Sequence, residues 1–427
     1  MTSYELITEN ELPMKPSFVQ RSFSPLTAGG IRQSMFTLIS AAIGGGILCL
    51  PYVFSLVGIC LGVILLGFAS FLAYVSMRML LLSAERTRTY SYGKLFSQSS
   101  ELQYAGPFLD VVTVLFGQGV VIAYFVFLGD FIPPLADAFG FQLSRMASIL
   151  GCCVLALPLA VPNKLSALKY VTPISTLSLI VTALVVIYRT PAMHSSLTDE
   201  SKDIDLAVFS WALLKAFAIC ISSFICHTNC VSVAGELVKP TDARANKIAL
   251  RSALVQLVLY LLIGICGYVS FASNTQQNFL KGYSDDDQLI TLCRLLLSFT
   301  IFFGLPINTN PTAKACVNLV QAFKSMKADP LLPATPSDQT DPMRTVRIAV
   351  GFCVLVTGSI VSLFVPGIAD VIGILGGSLG TLIMLVFPAL IFVKVFSDEM
   401  YITRNRILIA LLLLAATVCF LSVTLNV

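Results

Sequence analysis

Apolar residues gather into eleven blocks along the chain, at 32–57, 59–83, 108–132, 144–161, 167–188, 208–234, 248–271, 288–311, 346–365, 367–394 and 406–426. They are numbered spans 1 to 11. A block of about 18 apolar residues, wound as a helix, crosses the roughly 30 Å hydrocarbon core of a bilayer. The pattern therefore predicts an all-α integral membrane protein with about eleven transmembrane helices. Two blocks interrupt their own pattern. Span 1 reads "SAAIGGGILCLP" from Ser40 to Pro51, and span 6 carries "SSFICHTN" from Ser222 to Asn229. Consecutive glycines weaken a helix and leave its backbone bare. A cluster of hydroxyl, imidazole and amide groups at membrane depth is costly and marks function by default.

Composition agrees with the blocks. The chain is 56% hydrophobic and only 12% charged, whereas soluble domains average about 25% charged. A net charge of +4 over 427 residues, with no basic stripe, gives nucleic-acid binding no support. All 12 cysteines fall in or beside apolar blocks and form no CxxC pair, so neither a metal site nor a disulfide framework is expected. The polar start, with Glu5, Glu9 and Glu11, lacks the features of a signal peptide, and span 1 is expected to remain in the membrane.

Charge orients the spans. With the N-terminus in the cytosol, 21 of the 27 Lys and Arg residues fall on the cytosolic side and 4 on the other, and the positive-inside rule selects that arrangement. The expected layout is a cytosolic tail at 1–30, a core at 31–396 and an eleventh helix within 397–427. The core divides into helices 1–5 (31–189) and helices 6–10 (208–396), with a cytosolic linker at 323–345. Both a plasma-membrane and a vacuolar or lysosomal location fit. "YELI" at Tyr4 to Ile7 has the form of a tyrosine-based sorting signal. The oligomeric state is left open.

Five helices separate spans 1 and 6, so a five-plus-five inverted repeat makes them equivalents. Glycines alone would also suit close helix packing. Interruptions at matching positions in two halves instead point to the binding site of a secondary transporter. A break frees N–H groups on one half-helix and C=O groups on the other. The first attract a carboxylate and the second an ammonium or cation; an α-amino acid carries both. The N–H groups of Gly45, Gly46 and Ile47, beside Gly44, are expected to hold the carboxylate. Carbonyls near Ala41 and Ser223 would hold the ammonium, with Ser40, Phe224 and Thr228 lining the site.

These stretches resemble a known family. "SAAIGGGILCLPYVFSLVG" is similar to the first-helix signature of the amino acid/auxin permeases. "FGQGVVIAYFVFLGDFIP", "LPLAVPNKLSALKYVTPIS", "CHTNCVSVAGELVKPTDARANKIALRSALVQLVLYLLIGICGYVSF" and "DDDQLITLCRLLLSFT" resemble the branch of sodium-coupled neutral amino acid transporters. The resemblance covers roughly 28–395 and implies a LeuT-like fold of the APC superfamily, with amino acid transport by alternating access. It also implies coupling to sodium or protons, with Ser40, Ile43 and Thr300 near the ion path. One departure matters. Sodium-coupled members carry Asn where this chain has Ser40, and threonines where it has Phe302 and Gly304. Fewer oxygen ligands weigh toward protons or exchange.

Single residues complete the reading. His227 is the one intramembrane histidine and a candidate proton carrier, against a purely structural role; His194 reads as solvated. Asp130 reads as an outer-mouth gate residue, and Glu236 with Arg244 as a cytosolic gate pair. Lys215 is expected to snorkel to the outer surface, and Arg294 to pair with an outer-side acid. No carboxylate falls at the midplane, which favours neutral substrates. No nucleophile–base pair supports an enzyme, and no charge ring supports a channel. The competing reading is an amino-acid sensor with little flux. No cofactor is called for. The partners expected are an amino acid and the lipid bilayer.

Overall fold

The computed structural model describes residues 26–27, 29–102, 104–161, 171–198, 201–327, 343–365 and 368–425. The sorting-like motif and most of the 323–345 linker lie outside them. Among the described residues every regular element is helical, and nine helices are long and apolar enough to cross a membrane. The two other expected spans take different forms. Span 1 is divided into Ile31–Ala42 (1a) and the pieces Gly45–Leu48 and Leu50–Val57 (together 1b). Span 4 is the shorter apolar helix Arg145–Ala160. The N-terminal face below is the face from which 1a starts.

Span 6 divides into Ala212–Ser223 (6a) and His227–Glu236 (6b). Spans 2, 3, 5 and 7 are Ile59–Thr87, Ala105–Ala138, Val171–Ser195 and Asp242–Phe271. Span 8 is the single helix Gln288–Lys327, which carries Pro306 and Pro311 inside it. It runs well past the expected end at 311. The segment beyond still presents apolar and small residues at helical spacing and meets span 3, with Thr312 against Gly117 and Asn318 Nδ2 donating to Asp110 Oδ1 at 3.5 Å. Hence the expected linker at 323–345 begins within a helix. Spans 9 and 11 are Arg344–Ser362 and Thr403–Thr424.

Span 10 shows a feature its apolar pattern hides. Ile368–Leu375 widens into π turns at Gly376–Gly380 and Leu382–Val386 before closing as Phe387–Val395. The Thr381 hydroxyl donates to the Gly376 carbonyl five residues back, at 2.7 Å. Gly376 lies so close to Ala218 and Ser222 of span 6a that a Cβ would overlap them. Such bulges recur at functional sites. An amphipathic helix, Tyr92–Ser99, links spans 2 and 3; it buries Tyr92, Leu95 and Phe96, an i, i+3, i+4 stripe. Tyr92 donates its hydroxyl to the Ile383 carbonyl in the second π turn.

Ion pairs hold the ends. Arg86 meets Asp398 and Glu399, and Lys394 meets Glu101. The Arg86 guanidinium keeps the Asp398 carboxyl below its usual range, and Lys394 does the same for Glu101. Lys215 does not simply snorkel: its ammonium pairs with Asp370 of span 10 at 3.0 Å. His194 is likewise engaged rather than free in water, its Nδ1 lying 2.9 Å from the Val269 carbonyl.

Arg294 is 3% exposed. It pairs with Asp285 and donates to the carbonyls of Leu280 and Tyr283 at 3.0 and 3.1 Å. One side chain thus folds the loop between spans 7 and 8 onto span 8. Arg294→Met should therefore lower stability by about 2 kcal/mol, read as thermal unfolding in detergent. Asp285→Asn, which leaves both carbonyls served, should cost less than half of that.

Candidate functional site

The interruption of span 1 is two residues long. Ile43 N–H makes the last bond of 1a, to Ile39 at 2.9 Å, and Gly44 is extended (φ −149°, ψ −154°). Gly45 already belongs to the resumed helix, so the break lies slightly N-terminal of the position expected from the glycine run. A helical residue at Cys49, whose N–H bonds back to Gly46, joins the two pieces of 1b. In span 6 the break is Phe224–Cys226. His227, Thr228 and Asn229, expected within the interruption, form the first turn of 6b.

These two breaks touch. A Cβ placed on Gly46 would lie 2.5 Å from Ser223 Oγ and 2.8 Å from Ser223 Cα. Glycine is required there because the two half-helices approach backbone to backbone. Gly44 has the same reason with a different neighbour: a Cβ would fall 2.8 Å from the Tyr124 ring and 2.9 Å from its hydroxyl. Gly304 of span 8 bounds the other side of that ring, at 2.7 Å for a Cβ. So Gly304 makes room for Tyr124.

Tyrosines cap the exposed carbonyls. Tyr124 donates its hydroxyl to the Ile43 carbonyl at 3.1 Å and accepts from Asn308 Nδ2 at 3.1 Å; Asn308 also donates to the Gly304 carbonyl. Tyr260 of span 7 donates to the Ser223 carbonyl at 3.0 Å, and its ring lies 5.1 Å from that of Phe224. Sequence reasoning missed Tyr124, Tyr260 and Asn308. Tyr124 and Tyr260 sit in spans whose own pattern is unbroken, whereas Asn308 lies in the polar, proline-flanked stretch PINTNPT of span 8, a local signal that the reading passed over. For the two tyrosines the nearest clue was polar atoms in otherwise apolar helices.

Ile43, Gly44, Gly46, Ser223 and Phe224 are thus brought together, with Gly45 and Ile47 in the first turn of 1b. Ser40 and Ala41 lie in the last turns of 1a, and Ser40 Oγ is buried without a partner. Ser223 turns its own hydroxyl to the Ile219 carbonyl at 2.9 Å. His227 Nε2 lies 2.8 Å from Ser76 Oγ of span 2, and its Nδ1 has no partner. Thr300 donates to the Leu296 carbonyl of its own helix. Ser40, Ile43, Ser223, Phe224 and His227 are all within 1% of full burial, so the breaks are sealed from both faces.

Asp130 lies toward the C-terminal end of span 3. Its carboxylate meets Lys281 Nζ at 3.0 Å and Arg145 Nε at 3.9 Å, joining span 3 to span 4 and to the loop before span 8. In the same loop, Gln277 accepts from the Ala369 N–H at the start of span 10. On the N-terminal face, Glu236 ends 6b and acts electrostatically on Lys314 of span 8. The Val238 N–H donates to the Gly29 carbonyl, tying the entry to 1a onto the exit from 6b. Arg244 lies in the first turn of span 7, where its N–H is capped by Thr241.

Two broken helices joined at their interruptions, among apolar helices long enough to cross a membrane, are the arrangement of the LeuT-like class of transporter folds. The Eremococcus coleocola manganese transporter, solved in complex with an aromatic bis-isothiourea compound, superposes with a TM-score of 0.61 over 96% of this chain and 88% of that one, at 10% identity. The sequence itself matches the family described as "Transmembrane amino acid transporter protein" over residues 27–426, and the chain belongs to that family. A Toxoplasma gondii protein provisionally named amino acid transporter AAT1 is 33% identical over 345 residues, covering 79% of this chain and 45% of its own length. Sodium-coupled neutral amino acid transporter 7 of Xenopus laevis is 24% identical over 394 residues, covering 89% of this chain and 84% of its own. The chain spans about half the length of the first curated relatives it matches.

Replacing Tyr260 by Phe orphans the Ser223 carbonyl without opening a cavity. The expected cost is about 1–2 kcal/mol, read as a lower thermal midpoint in detergent. Tyr124→Phe should cost at least as much, because it orphans the Ile43 carbonyl and also removes an acceptor from Asn308.

Proposed function

We propose that this chain is a secondary transporter that moves neutral amino acids across a membrane by alternating access, with the joined breaks of spans 1 and 6 as its substrate site. The observation that carries this reading is the backbone contact of Gly46 with Ser223. It sets a free helix start and a free helix end against each other inside the membrane. The N–H groups of Gly45, Gly46 and Ile47 would take the substrate carboxylate, and carbonyls from Ala41 to Ile43 and at Ser223 its ammonium. Tyr124 and Tyr260 hold two of those carbonyls in the sealed state. A bound ammonium would displace or share their hydroxyls, so the site never leaves a bare carbonyl in hydrocarbon. Membership in the family and the names of the relatives support amino acids as the substrate class.

In this reading 31–396 is the transport core and 397–427 an added helix, with the N-terminus in the cytosol. Asp130 with Lys281 would close the outer side, and the Glu236 and Arg244 region the inner side. Coupling runs to protons or sodium. The Xenopus laevis relative is named as sodium-coupled, and Ser40 offers an unpartnered oxygen. Against that, Phe302 and Gly304 supply no side-chain oxygen, and His227 with Ser76 forms a buried pair suited to a proton path.

Uptake into proteoliposomes under imposed sodium, proton or no gradient tests this directly. Neutral amino acids should accumulate, driven by one of the two ions. Binding without flux would overturn transport in favour of a sensor. Gly46→Ala should reduce uptake at least about tenfold, since even one methyl group must push Ser223 aside, while the protein stays monodisperse. Ser40→Asn should raise any sodium dependence, and an unchanged ion profile would remove Ser40 from the coupling path.

A further inference from the structure

Span 7 hides a polar stripe on its most buried face. Ser252, Gln256 and Tyr260 follow one another at i, i+4 and i+8, and each is 0% exposed. Successive residues at this spacing lie one above the other on a helix. Tyr260 is accounted for, because it caps Ser223 at the second break. Gln256 is not: neither Nε2 nor Oε1 of its amide has a partner, and Ser252 Oγ has none either. An amide offers two donors and two acceptor sites, and leaving it buried and unmet is costly.

The register of span 7 against span 1 gives the level of Gln256. Gly267 lies against the Pro51 side chain, where a Cβ would come within 2.5 Å, and it shares the face of Gln256 eleven residues further along. Eleven helical residues span about 16 Å. The same distance down span 1 from Pro51 leads to the segment between Ser40 and Gly44. Span 7 does pack against 1a and against Gly45–Leu48. The amide of Gln256 therefore stands at the height of the first break, one turn from the tyrosine that reaches the second. Ser40 Oγ, also unpartnered, is at that height.

We infer that Gln256 is the specificity-determining residue of the substrate site. Its amide receives the side chain of the transported amino acid and selects an uncharged group that both donates and accepts hydrogen bonds, a hydroxyl or a carboxamide. This inference rests on the transport reading above. An amide that can both give and take is best met by a group of the same double character. A charged group would need a counter-charge that this stripe does not contain. An apolar side chain of equal size would leave the amide unmet, and a site built to bond a polar group rejects such an analogue strongly.

The test uses near-isosteric pairs: threonine against valine, and asparagine against leucine. Uptake by the full chain in proteoliposomes is normalised to the alanine uptake of the same variant. The wild-type protein should prefer the polar member of each pair. Gln256→Met, similar in length but apolar, should shrink that preference at least about tenfold, the change that one good hydrogen bond carries. Gln256→Asn draws the amide back by one methylene and should move the optimum from asparagine toward glutamine. It serves as the second arm should the methionine variant not fold. A wild-type protein that moves amino acids without separating threonine from valine overturns the inference and leaves transport standing. So does a methionine variant with an unchanged ratio, or one that changes only the response to sodium. No flux of any amino acid in the wild type overturns the transport reading, and this inference with it.

Discussion

A helix broken inside a membrane leaves backbone groups that lipid cannot serve. Each bare carbonyl or N–H in hydrocarbon costs several kcal/mol, so an interruption persists only where protein completes it. In this chain the completion is mutual. The break at Ile43–Gly44 lies against the break at Phe224–Cys226, with Gly46 and Ser223 in backbone contact. Tyr124 and Tyr260 reach in from spans 3 and 7 to serve the Ile43 and Ser223 carbonyls. Much of the surrounding packing follows from placing those two hydroxyls. Gly304 clears space for one ring, and Asn308 orients it.

The same constraint shapes the chemistry of the centre. Two hydroxyls supply the carbonyls in the sealed state, and hydroxyls exchange partners at low cost. Charged side chains at this depth would bind more strongly but would have to be neutralised whenever the site was empty. The chain instead keeps its charges at the ends. Asp130 with Lys281 and Arg145, Lys215 with Asp370, and Arg294 with Asp285 lie on one face; Arg86 with Asp398 and Glu399 lies on the other. Ion pairs at those ends join helices and loops that are distant in sequence.

Some of the departures from the family pattern acquire a physical cause in this setting. At Gly304 a Cβ would meet the Tyr124 ring, so the oxygen-bearing side chain that the resemblance leads one to expect there has no room. Ser40 remains the sharper question, since its hydroxyl is buried and unpartnered at the height of both the first break and the Gln256 amide. The widened turns of span 10 belong to the same account. They let Gly376 press against 6a just before its end, so movement of 6a would be felt by spans 10 and 11.

Hydrophobic periodicity and composition were enough to read the helices, because a membrane span needs length and apolarity and little else. The glycine run and the polar SSFICHTN cluster exposed both interruptions, since each violates the requirement that buried backbone be satisfied within its own segment. Their exact limits were not legible. Gly45 and His227 resume helices because of the neighbours they meet, which local propensity does not register. Tyr124, Tyr260 and Gln256 stand in spans with unbroken patterns, and nothing within a few residues of them marks their role; Asn308 alone sits in a polar stretch between two prolines. The continuation of span 8 to Lys327 and the π turns of span 10 depend likewise on contacts with spans 3 and 6a. The sequence by itself determined that the chain is built of apolar, membrane-length helices and which two of its blocks are broken. Only the tertiary structure decided what completes the broken ends, because a carbonyl's partner comes from another helix, chosen by packing.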